Sequence, residues 1–131
     1  MTIAPLTEPL LLHRLAHARA GDKGNRLNIA VVCRCPEAYA ALAPQVTAER
    51  VAELFAARRP SKVVRYDLPN LAAFNFVLDD VLDGGVNASL GLDGHGKCLS
   101  FLLLSLALTP TPEVQSALAA LASAPVAFQA Q

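Results

Sequence analysis

The chain has no charge excess of either sign. Eleven Lys and Arg residues balance 11 Asp and Glu residues, for a formal net charge of zero. Binding to nucleic acid or to an anionic membrane draws on clustered positive surface, so neither partner is expected. Cysteine is scarce as well: Cys33, Cys35 and Cys98 are too few for a disulfide framework. Cys33 and Cys35 would share a strand face, but the second pair that a structural zinc needs is missing, so no metal is expected. The longest apolar run, Leu99 to Leu108, falls far short of the ~20 residues that cross a bilayer. Met1 to Leu10 carries prolines and an acid in place of a basic segment followed by an apolar one, so it does not read as a secretory leader. Reduced thiols and these absences point to the cytoplasm. Also absent are a Gly-x-Ser-x-Gly elbow, a nucleotide P-loop and a metalloprotease helix.

What is present is hydrophobic substance. At 131 residues with 53% hydrophobic content, the chain is expected to form one packed domain and not a disordered one. The surplus over what a small core needs leads us to expect an apolar interface as well. Residues 1–108 read as the domain and residues 109–131 as a linker and short helical tail, docked on it as an appendage.

Local patterns place the elements. Leu10 to Ala18 is expected to form a first strand and Leu27 to Arg34 a second, joined by a wide turn of about six residues. Pro36 suits the first turn of a helix that stops near Pro44. Thr47 is expected to cap a second helix running to about Arg59, with Glu49 in its first turn. Lys62 to Leu68 alternates as a strand, Val63, Arg65 and Asp67 facing one way and Val64, Tyr66 and Leu68 the other. Leu71, Phe74, Val77, Leu78 and Val81 follow a helical rhythm over 71–82, with Gly84 and Gly85 at its end. Asn87 to Leu92 reads as a short strand and Asp93 to Gly96 as a turn. Lys97 to Leu108 suits either a buried helix or an inner strand, with the helix preferred. Thr111 and Pro112 open a last helix to about Ala122. Together these describe a two-layer α+β domain, a mostly antiparallel sheet covered by helices.

The best candidate ligand site is the stretch from His17 to Asn28. Gly21 and Gly24 can take positive φ, so the amides of a loop over Gly21, Asp22, Lys23 and Gly24 would converge on an anion, with Lys23 adding a point charge. As an ordinary turn, the same residues would let Asp22 bind its own backbone. His17 and Arg19 precede the loop on one strand face, and His17 near a carboxylate is an acid–base arrangement. Asn70 reads as a cap or turn residue. Asn75, between two aromatic rings, must find a hydrogen bond to backbone or to ligand if it is buried.

Ala18-Arg-Ala-Gly-Asp-Lys-Gly-Asn25, Asn28-Ile-Ala-Val31, Tyr66-Asp-Leu-Pro-Asn-Leu71, Asn75-Phe-Val-Leu78, Gly84-Gly85-Val86, Leu92-Asp93 and Gly96-Lys97 together resemble the AtuA-like ferredoxin-fold domain, over roughly residues 11–106. That domain forms the C-terminal part of acyclic terpene utilisation proteins and also occurs free-standing. The family pattern reads Arg-Ser-Gly-Asp-Lys-Gly-Asp and Asn-Ile-Gly-Val, whereas this chain carries Ala20, Asn25 and Ala30, so a hydroxyl and a carboxylate of the pattern are missing. The resemblance implies a ferredoxin-like sandwich, here with an extra C-terminal helix. It implies a link to the breakdown of branched acids through acyl-CoA esters, and no iron–sulfur cluster or other cofactor. Fold analogy supplies no reaction. The expected role is an accessory binding domain that self-associates or docks on a larger AtuA-like subunit. The alternative is an enzyme subunit binding an acyl-CoA or carboxylate at Gly21 to Gly24. Its candidate ligand residues are His17, Arg19, Gly21, Asp22, Lys23, Gly24, Asn25, Asn28, Asn70, Asn75, Gly84 and Gly85.

Overall fold

Alternation of buried and exposed residues is strongest in the middle of the chain, and it builds the sheet. A computed structural model describes residues 9–81 and 99–123. Strands β1 (Ala16–Lys23), β2 (Arg26–Cys33), β3 (Lys62–Leu68) and β4 (Ala73–Asp79) form one antiparallel sheet in the order β1-β2-β4-β3. β2 and β3 run the same way with β4 between them, the split β-α-β arrangement of ferredoxin-like folds. The helical elements are α1 (Pro36–Leu42), α2 (Ala48–Leu54), α3 (helical over 99–104) and α4 (Pro112–Ala122). The two-layer α+β expectation holds.

All of the core lies on one face of the sheet. Leu27, Ile29 and Val31 of β2 and Phe74, Phe76 and Leu78 of β4 are buried there against Leu42, Val51, Phe55 and Leu103. Each such side chain contributes about 1.5–3 kcal/mol when fully buried. Tyr39 of α1 stacks on Phe74 with ring centroids 4.7 Å apart, and the Arg65 guanidinium lies 5.0 Å from the centre of the same ring. Arg65 also donates from Nη1 to the carbonyls of Ala43 (2.6 Å) and Val46 (2.9 Å), and its Nε meets Asp67 at 2.8 Å. One cation therefore ties β3 to the turn between α1 and α2.

The caps fall where the sequence puts them. Thr47 Oγ1 accepts from Arg50 N at 3.1 Å, and Thr111 Oγ1 accepts from Val114 N at 3.2 Å, with Pro112 opening α4. The second helix is shorter than expected. α2 ends at Leu54 and a 3-10 turn, Ala56–Arg58, continues toward Pro60.

Four expectations are corrected. The first strand is β1 at Ala16–Lys23, displaced from Leu10 to Ala18: Leu12 and Leu15 are both buried from a 3-10 turn, while β1 turns only small residues, Ala16, Ala18 and Ala20, toward the core. The wide turn is in fact two residues, Gly24 and Asn25, because Lys23 pairs with Arg26. Of these only Gly24 has positive φ, at 64°, as in a type II′ turn. The helix read over 71–82 is β4, whose buried set Phe74, Phe76 and Leu78 has a period of two. And α4 is no appendage: its Val114 and Ala117 are fully buried in the common core, and the Cys35 thiol donates to Ala117 O at 3.6 Å. Lys97 to Leu108 is helical over 99–104, after which Leu11 bridges to Ala107. Gly84, Gly85, the strand expected over Asn87 to Leu92 and the turn expected over Asp93 to Gly96 lie outside the described residues. No helix among the described residues is long and apolar enough to cross a membrane.

Candidate functional site

The second face of the sheet carries the polar residues of the sequence motifs. Outward positions alternate with the core-facing ones, so they can be read across the strands from the register. His17, Val32, Ala73 and Leu68 make one row; Arg19, Ala30, Asn75 and Tyr66 the next. Gly21, Asn28, Val77 and Val64 make the third. Lys23, Arg26, Asp79 and Lys62 close the end, where Arg26 Nε meets Asp79 Oδ1 at 2.7 Å.

The centre of this face is an amide pair. Asn28 Nδ2 donates to Asn75 Oδ1 at 3.5 Å, joining residues 47 apart in sequence through the β2–β4 pairing. Gly21 makes room for it: a Cβ on Gly21 would stand 3.0 Å from Asn28 Oδ1. The glycine is needed for space, not for an unusual φ. The half-buried Asn75 thus has a side-chain partner, where backbone or ligand was expected.

The anion loop is not assembled. Gly21, Asp22 and Lys23 are extended and paired to Asn28, Leu27 and Arg26, and successive amides of a strand point to opposite edges instead of converging. His17 and Asp22 lie on opposite faces of β1, five residues apart, so the acid–base pair is not formed either. His17 instead faces Arg34, whose Nη1 lies 3.2 Å from His17 Nε2. Partial burial, and then the Arg34 charge, hold the imidazole below its usual pKa.

Lys23 and Asn25 line a cleft of about 360 Å³ at the hairpin end, together with Arg26, Asp79 and Asp80. Mixed charge and the Arg26–Asp79 pair leave it no clear preference for an ion of either sign. The Asn25 carbonyl accepts from Val81 N at 3.2 Å. Asn70 is exposed in the 3-10 turn Pro69–Leu71, away from the amide pair. Gly84 and Gly85 lie outside the described residues.

No group of three or more potential metal ligands occurs among the described residues. Burial raises the pKa of both Cys33 and Cys35, Cys33 to about 12, so these thiols stay protonated and are poor ligands.

Sequence reasoning read the orientation of Tyr66 correctly but did not mark it as a site residue. It is 53% exposed, beside Leu68 (38%), Leu71 (68%) and Val32 (40%). The signal was available: outward Val64, Tyr66 and Leu68 are large and apolar where a solvated face would be polar.

A family model described as the AtuA ferredoxin-like domain matches residues 10–109 of the chain. No curated protein and no solved structure matches it.

Proposed function

The chain belongs to the AtuA ferredoxin-like domain family, and on that premise we propose that it is a non-catalytic accessory module that docks on a larger AtuA-like subunit through the outward face of its sheet. The observation that carries this reading is the apolar corner made by Val32, Tyr66, Leu68 and Leu71. Single exposed apolar side chains are ordinary, but these four gather at one end of the sheet. Val32 and Leu68 flank Ala73 across the ladder, and Leu71 lies in the turn that leads from Leu68 into β4. Arg19 lies in the adjoining row, and Lys23 and Lys62 stand at the opposite end of the same face, so the complementary surface is apolar against the corner and acidic beyond it. The setting that goes with this reading is the breakdown of acyclic terpenoid acids as acyl-CoA esters.

The test is co-expression with a larger AtuA-like subunit that lacks this domain, followed by analytical ultracentrifugation. Co-sedimentation is expected, together with its loss in a Leu68→Asp, Leu71→Asp variant whose circular dichroism and melting remain close to the parent's. A chain that stays monomeric beside the subunit overturns the reading. A homodimer dissolved by the same two substitutions puts a second copy in the subunit's place.

A further inference from the structure

The outward face of the sheet is strongly biased in charge. It carries Arg19, Lys23, Arg26 and Lys62 against the single carboxylate of Asp79, in a chain whose formal charge is zero. Asp79 is already paired with Arg26. Among the described residues, the Arg19 side chain makes no hydrogen bond or ion pair. An unpaired guanidinium on such a face favours an anion.

The row through Arg19 gives that anion a place. Arg19 and Asn75 flank Ala30 from the strands on either side of it, roughly 9.5 Å apart at the backbone. Ala30 raises only a methyl between them. Asn75 Oδ1 is occupied by Asn28, which leaves the two N–H groups of Asn75 Nδ2 to donate elsewhere. Donors therefore stand on both sides of a shallow gap. Along β2 the next outward residue is Val32, followed across the ladder by Ala73 and Leu68, with Tyr66 beside them. The polar gap opens directly onto apolar surface.

We propose that the space above Ala30 is a seat for a small organic carboxylate with a short apolar chain. The Arg19 fork pairs with the carboxylate from one side and Asn75 Nδ2 donates from the other. The apolar chain lies over Val32 toward the exposed Tyr66 and Leu68. Gly21 serves the seat indirectly, by letting the Asn28 amide lie where it can orient Asn75. The seat shares a face with the proposed docking surface but depends on different residues for its charge recognition.

The experiment is a titration of the ¹⁵N-labelled full chain with hexanoate, acetate and sulfate at matched ionic strength, followed by amide shifts. Saturable shifts are expected at Arg19, Gly21, Asn28, Ala30 and Asn75. Hexanoate should bind several-fold more tightly than acetate, because burying methylenes is favourable. Arg19→Ala should weaken hexanoate binding on the order of tenfold, the worth of one charged hydrogen-bonded contact. Asn75→Ala should weaken it by a smaller factor, and Lys62→Ala, at the far end of the face, by less than about twofold. Arg19 is exposed on an edge strand, so its loss leaves the fold intact, and the remainder of the spectrum verifies this. Equal losses in the Arg19 and Lys62 variants would reduce the seat to a diffuse positive field and overturn it. So would sulfate or acetate matching hexanoate, or shifts centred away from Ala30. The titration contains no AtuA-like subunit, so failure of the seat and failure of docking are read separately.

Discussion

Gly21 faces Asn28 across the first hairpin so closely that a Cβ on the glycine would stand 3.0 Å from the Asn28 amide oxygen. Gly21→Ala therefore acts on geometry more than on stability. Alanine in a strand regains roughly 0.5–1 kcal/mol of backbone entropy, which offsets the crowding. The denaturation midpoint should move little, while the side-chain amide resonances of Asn28 and Asn75 shift together. Unchanged amide resonances would mean that the pair does not depend on the missing methyl group.

Arg65 is the most heavily bonded cation described, reaching Ala43 O, Val46 O, Asp67 and the Phe74 ring. Arg65→Ala leaves two carbonyls short of a donor and should cost about 2–3 kcal/mol. Arg65→Lys restores the charge but not the planar fork, and should recover less than half of the loss. Urea unfolding with an unchanged m-value measures both.

The Cys33 thiol, raised to about 12 by burial and then by Cys35, should resist alkylation in the native protein. Compared with an ordinary thiol of pKa 9.0, the thiolate fraction at pH 8 falls roughly a thousandfold. Mass spectrometry of the Cys33 peptide after iodoacetamide treatment should show little label until urea unfolds the chain. Because the folded pKa is the higher one, stability from this group is full below about pH 9 and declines as pH rises toward 12.

His17 has the opposite sign. Its folded pKa lies below 6.5, so the unfolded chain takes up the proton first on acidification. Stability is undiminished above pH 6.5 and falls as the pH drops from there toward the folded value. His17→Gln keeps a side chain near Arg34 but removes this titration. The difference between parent and variant should be flat above pH 7 and should change below it, as read from denaturation midpoints at a series of pH values.

The sequence carried β2, β3, the Pro36 helix start and the two threonine caps, because each has a local cause in alternation, in proline φ or in a side-chain oxygen near free amides. It did not carry β4. Leu71, Phe74, Val77, Leu78 and Val81 fit a helical period as well as Phe74, Phe76 and Leu78 fit a strand, and pairing with β2 and β3 decides between them. β1 was displaced because its core-facing residues are alanines, which give no hydrophobic alternation, while the leucines before it do. The candidate site was legible as a set of residues but not as a place. Asn28 and Asn75 meet only through β4, whose residues fit a helical period, and the loop expected over Gly21 to Gly24 is ladder up to Lys23, which pairs with Arg26.

A narrow seam joins distant parts of the polypeptide: Leu12 N donates to Leu106 O, Leu108 N donates to Leu10 O, and Leu11 bridges Ala107. Gln45 holds the same segment through paired bonds to the backbone of Thr109. The fold is thereby fastened into a ring. The leading leucines and the final helix are therefore expected to melt together with the hydrophobic interior, as one transition.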